Sequence, residues 1–122
     1  MKEIVAIIRR QKLHETKTAL DGLGFSPMSI LSVSGRGKQK GFIGEVDPVM
    51  DEFMLDEADV DVRFIPKRLI SIVADDADVP EIVETIIKTN NTGYPGDGKI
   101  FVLPITDAIR IRTSEIGLSA IK

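Results

Sequence analysis

Three glycines, Gly93, Gly96 and Gly98, fall within six residues of the stretch TGYPGDGKIFVLP, and Lys99 follows them directly. Glycine accepts positive φ and carries no Cβ, so such a turn can aim several backbone N–H groups at one anion. Lys99 would add a point charge at the exit. The spacing is not that of the G-x-x-x-x-G-K-[ST] phosphate loop. Pro95-Gly96-Asp97-Gly98 is also an ordinary turn tetrapeptide, so the loop alone leaves both readings open. Arg110 and Arg112, alternating with Ile109 and Ile111, bear on the choice. On a strand, residues two apart face one side. The two guanidiniums would then project together and repel unless an anion lay between them, and phosphate suits that fork. Glycine loop, lysine and two arginines together make a polyphosphate site the expectation.

The rest of the composition narrows the chemistry by exclusion. The 122 residues fit one domain, and 43% hydrophobic content supplies a core. A net charge of −3 argues against a nucleic-acid footprint. There is no cysteine, which removes disulfides and thiol chemistry, and His14 is the sole histidine, which removes a histidine-cluster metal site. No nucleophile–base pair is visible, so an enzyme is not expected. No apolar run approaches 18 residues, and the apolar run at 4–8 is too short for a signal-peptide core; a cytoplasmic protein is the simplest expectation.

The elements that must hold these residues are legible from periodicity. Residues 3–9 read as a short buried strand rich in β-branched residues. Leu13, Thr16, Leu20 and Leu23 recur at helical spacing, with Gly24 where a helix-ending glycine belongs. Residues 28–35 alternate as a half-buried strand. The pattern then stops for about 25 residues, resuming with a strand at 61–64 that continues or restarts beyond Pro66 over 68–75. A second helix carries Val79, Ile82, Val83, Ile86 and Ile87, with Asp78 as the N-cap, Pro80 in the first turn and Glu81 completing a capping box. Strands at 99–104 and 108–113 close the chain. Two βαβ halves imply an α+β, ferredoxin-like βαββαβ sandwich spanning 1–122. Ile4, Ala6 and Ile8 face one side of the first strand and Val5 and Ile7 the other. Both sheet faces are apolar and two helices cover only one, so a second subunit is expected on the other.

GRGKQKG (35–41), TGYPGDGKIFV (92–102) and IRIRTSE (109–115), in this order and at matching separations, resemble the PII nitrogen-regulatory signal proteins. The resemblance covers nearly the whole chain. It implies a trimer of ferredoxin-like subunits, with ATP or ADP in the clefts between them and 2-oxoglutarate bound together with Mg-ATP. Carried over by position, the nucleotide-binding residues are Gly37, Lys38, Gln39, Thr92, Gly96, Asp97, Gly98, Lys99, Arg110 and Arg112. Gln39 would also ligate Mg and, with Lys40, Gly41 and Lys67, form the 2-oxoglutarate site. Lys38 stands where an arginine is common, Tyr94 where a lysine is common, and Ser71 where an acid is frequent.

The family's effector loop corresponds to about residues 36–61 and is several residues longer here than in the ordinary PII proteins. It holds no tyrosine, the only one being Tyr94, so tyrosine uridylylation is not expected. Between 42 and 61 there are eight acids and no lysine or arginine. Asp47 and Pro48 can start a short helix carrying Val49, Met50, Phe53 and Met54, an apolar stripe of the kind that docks on a partner. Long loop and nucleotide motif most resemble the nitrogenase-associated branch found in methanogens and some anaerobes. That resemblance implies a homotrimer, or a mixed assembly with a related PII-like subunit, that inhibits nitrogenase until 2-oxoglutarate relieves it. Control of a membrane ammonium transporter is the alternative, although the loop lacks an arginine suited to plugging a channel.

Overall fold

The computed structural model of the chain describes residues 1–35 and 64–122. Four strands, β1 (Lys2–Arg9), β2 (Ser29–Gly35), β3 (Ile65–Ala74) and β4 (Lys99–Pro104), form one antiparallel sheet in the order β2-β3-β1-β4. Helices α1 (Leu13–Gly22) and α2 (Val79–Asn90) lie on one face, and a single turn, α3 (Leu118–Ile121), ends the chain. The order β1-α1-β2-β3-α2-β4 is the expected ferredoxin-like sandwich.

The alternation of β1 sets the layers. Ile4, Ala6 and Ile8 are buried with Ile70 and Ile72 of β3, Leu20 of α1, and Ile82 and Ile86 of α2. The core therefore lies between the sheet and the two helices. One polar link crosses it: Asn90 Nδ2 donates to Thr16 Oγ1 at 3.0 Å, and the Thr16 hydroxyl donates to the Lys12 carbonyl at 2.7 Å. Thr16 thus accepts from one helix while its own proton satisfies the turn beneath it.

Helix α1 ends as its glycine requires. Gly24 has φ of 88°, its N–H donates to the Asp21 carbonyl, and the Phe25 N–H reaches back to the Leu20 carbonyl. This paired 5→2 and 6→1 arrangement satisfies the last carbonyls of the helix. The start of α2 differs from expectation. Asp78 makes no side-chain cap, because a 3-10 turn at Asp76–Asp78 precedes the helix and the cap moves back to Asp75, whose side chain accepts from the Ala77 N–H. Proline in the first turn of α2 stands as expected.

Two strand expectations change. β3 runs unbroken from Ile65 through Pro66, whose missing N–H is tolerated near the strand's first residues. Residues 61–63 lie outside the described residues. The expected strand at 108–113 is instead a tight reversal. Arg110 N–H donates to the Glu115 carbonyl, Ser114 N–H to the Arg110 carbonyl, and Ile109 bridges Ile116. Ser114 adopts φ of 61° to close it. Ile109 and Ile111 are consequently not anchored on a sheet face, and Ile111 is 97% exposed.

The sheet face away from the helices bears Val5, Ile7, Leu69, Val73, Leu31, Phe101 and Leu103, in mutual register. Leu31 is 59% and Phe101 49% exposed. Within the described residues nothing of this chain covers them.

Candidate functional site

The glycine loop joins the end of α2 to the start of β4, and Asp97 organises it. One carboxylate oxygen accepts the Thr92 hydroxyl and the Arg9 guanidinium. The other accepts the N–H groups of Thr92 at 2.8 Å and Gly93 at 3.0 Å. These donors hold the carboxyl well below the usual carboxylate range, the Thr92 hydroxyl contributing most and burial opposing. Arg9 leaves the end of β1 and also donates to the Pro95 carbonyl at 3.0 Å. Lys67, on β3 and directly across the register from Arg9, donates from Nζ to the Gly96 carbonyl at 2.7 Å. Lys67 is 7% exposed, and desolvating an ammonium this far requires such polar partners.

The glycines are needed for two different reasons. Gly93, Gly96 and Gly98 all have positive φ, at 83°, 101° and 109°. At Gly98 there is also no room, since a Cβ there would lie 1.8 Å from the Ile7 carbonyl oxygen. The loop is pressed onto the backbone of β1, which places Lys99 opposite Ile7 at the first residue of β4. An apolar hollow of about 400 Å³ opens beside it, lined by Ile8, Ile86, Ile87, Gly98 and Lys99 among others.

Among the residues expected to form a site, the structure brings Thr92, Gly96, Asp97, Gly98, Lys99 and Lys67 together. It does not bring Arg110 and Arg112 to them. Arg110 pairs with Glu115 at 2.8 Å and donates to the carbonyls of Ser119, at 3.2 Å, and Lys122. It lines a hollow with Met28, Ser71 and Val73. Ser71 and Val73 lie four and six positions along β3 from Lys67, about 13 and 20 Å at strand rise. Arg112 is exposed on the reversal and does not share a strand face with Arg110. Gly37, Lys38, Gln39, Lys40, Gly41, Val49, Met50, Phe53 and Met54 lie outside the described residues.

Sequence reading missed Arg9, because its partner is 88 positions away and no local pattern couples them. It also read Asp97 only as part of a binding loop, whereas its side chain is the internal staple. Ser71, standing where an acid is frequent, donates to Glu3 Oε2 at 2.6 Å, so β1 brings a carboxylate to that place. His14 is exposed. Among the described residues no group of three or more His, Cys, Asp or Glu side chains could hold a metal, and no helix is long and apolar enough to cross a membrane.

A four-stranded ferredoxin-like sheet with both helices on one face and a stapled glycine loop between its second helix and last strand defines an α+β sandwich with a built loop at one end of the sheet. The chain belongs to the nitrogen regulatory protein P-II family, whose model matches residues 1–115. It is 53% identical to a nitrogen fixation nifHD region GlnB-like protein 2 of Methanobacterium ivanovii, over 99% of both chains. A protein of the same description from Methanococcus maripaludis is 50% identical over 99% of this chain and 100% of its own. The nifHD1 region GlnB-like protein 2 of Methanosarcina barkeri is 44% identical over the full length of both. These relatives are the nitrogen-fixation branch to which the long loop and nucleotide motif pointed.

Proposed function

We propose that this chain is a non-enzymatic, cytoplasmic nitrogen signal protein that reads ATP or ADP and 2-oxoglutarate and controls nitrogenase through residues 36–61. The observation that carries the reading is the stapled glycine loop with Lys67 bonded into it. Its positive-φ glycines carry no Cβ to block the approach of a phosphate, and Lys99 stands at its exit. The residues present therefore fit a nucleoside polyphosphate. Phosphates would meet the N–H groups of Gly96 and Asp97, since those of Thr92 and Gly93 are held by the Asp97 carboxylate, together with the Lys99 ammonium.

The separation of Arg110 and Arg112 from the loop supports an assembly. If these arginines hold phosphate, they do so at the loop of another copy. The uncovered sheet face and the exposed Ile111 give such copies an apolar surface to share. A homotrimer, or a mixed assembly with a related subunit, satisfies both requirements.

Lys67 supplies a short route between two ligands. It is the residue that the family pattern assigns to 2-oxoglutarate, and here its Nζ lies on the Gly96 carbonyl. A dicarboxylate drawing on that ammonium would act directly on the nucleotide loop. Mg would be held between the nucleotide, Gln39 and the effector, and supplies charge neutralisation there. Gln39, Lys40 and Gly41 would complete the effector site at the base of residues 36–61. A coupling of about 1–3 kcal/mol between ligands is the typical range. Control of a nitrogenase by Val49, Met50, Phe53 and Met54 follows from the apolar stripe in an acidic segment and from the nitrogen-fixation names of the relatives.

Calorimetric titration with ATP, alone and with Mg and 2-oxoglutarate, tests the sensing half. Binding of ATP that tightens with both additions is expected; no ATP binding under any condition overturns it. For the target, nitrogenase activity is compared with the parent chain and with a 45–58 deletion. Equal inhibition by both would overturn the docking assignment.

A further inference from the structure

We propose that Arg9 is a positioning residue for the nucleotide loop, holding Asp97 neutralised and the loop carbonyls turned inward so that phosphate meets N–H groups. The inference rests on the nucleotide reading above and deepens it. An aspartate between two glycines of a polyanion-binding loop is an electrostatic contradiction, because like charges at contact range oppose binding. The structure resolves it with one side chain. The Arg9 guanidinium pairs with Asp97 through Nη1, which also lies 3.4 Å from Thr92 Oγ1, and reaches the Pro95 carbonyl through Nη2. The Arg9 and Asp97 side chains are 16% and 25% exposed, so water screens the pair only partly.

The second part of the argument is geometric. The Pro95 carbonyl faces Arg9 and the Gly96 carbonyl faces Lys67. In a trans peptide the N–H of the next residue points opposite to the carbonyl. The N–H groups of Gly96 and Asp97 therefore point away from the two cations. Adjacent cations on β1 and β3 thus set the direction in which the loop presents its donors. A lysine at position 9 would keep the charge, but its compact ammonium lacks the planar fork that spans Asp97 and Pro95.

ATP titration and thermal unfolding of the parent, Arg9→Met, Arg9→Lys, Asp97→Asn and the double variant Arg9→Met/Asp97→Asn test this. Arg9→Met is expected to weaken ATP binding roughly tenfold to a hundredfold, the scale of a lost charge-assisted contact. Arg9→Lys is expected to recover part of that loss with a melting temperature near the parent's. The double variant is expected to bind ATP more tightly than Arg9→Met, because its uncompensated carboxylate is gone. A purely structural role for Arg9 would not give that recovery, since the double variant has lost still more charge-assisted contacts within the loop. Parent-like affinity in Arg9→Met overturns the inference, as does a double variant no tighter than Arg9→Met. Should Arg9→Met fail to fold, parent-like affinity in folded Arg9→Lys overturns it instead. A parent chain that binds no ATP overturns the nucleotide reading and this inference with it, whereas a binding parent with indifferent Arg9 variants sinks the inference alone.

Discussion

Asp97 and Gly98 are neighbours that answer to different physics. The Asp97 carboxyl titrates below its ordinary 3.8 because four donors favour its ionised form. A group lowered in the folded state contributes stability above its unfolded pKa and loses it as pH falls toward the folded value. Acid unfolding of the parent should therefore steepen below about pH 4. Asp97→Asn should flatten that limb in a circular-dichroism titration and should be less stable than the parent at neutral pH, where the ionised carboxylate contributes. Gly98→Ala is a steric test. Its Cβ would meet backbone at Ile7, which cannot rotate away as a side chain would, and positive φ adds strain. A loss of about 3 kcal/mol or more is expected in urea unfolding. Gly93→Ala has a similar φ but open space around it, and should cost about 1 kcal/mol. Equal losses at the two sites would show that backbone strain, not the close approach to β1, governs the loop.

Between elements, the helices are joined through polar as well as apolar contacts. Thr16 is fully buried and Asn90 nearly so, and they bond across the helix pair. Thr16→Val keeps the shape but removes the acceptor for Asn90 Nδ2. That variant should lose about 1–3 kcal/mol by urea denaturation. A loss below ~0.5 kcal/mol would show that Asn90 finds its remaining bond, to the Ile86 carbonyl, sufficient. Element ends were harder to place than element interiors. The stripe of α2 required a helix with Asp78 as the expected cap, but the capping carboxylate is that of Asp75. The 3-10 turn before the helix decided for Asp75.

At the scale of the whole molecule, the described residues leave one face of the sheet open. One sheet face is buried under helices, while the other leaves Leu31 and Phe101 about half exposed. Antiparallel sheets tolerate one wet face when that face is polar, and the centre of this one, at Val5, Leu69, Leu31 and Phe101, is apolar. Phe101→Glu places a charge on this surface and should convert the assembly to monomer in sedimentation velocity. The same variant should lose ATP affinity if the arginines that complete the site come from another copy. A monomer that still binds ATP as tightly as the parent would separate nucleotide binding from assembly.

The period-two alternation of β1 and the helical stripe of α2 determined the sandwich without tertiary knowledge, because each repeats over many residues and points one face inward. The glycines and Lys99 likewise marked a turn able to take an anion. The reversal at Arg110 was not legible in this way. Alternating Ile and Arg carry a strand signal, but among the described residues no neighbouring strand accepts their backbone, so Glu115 and the C-terminal carbonyls take it and the arginine instead. Only tertiary structure decided that Arg9 belongs to the glycine loop and that Lys67 meets Gly96. Both contacts join residues far apart in sequence, where periodicity carries no information, and both exist because adjacent antiparallel strands end at the same edge of the sheet.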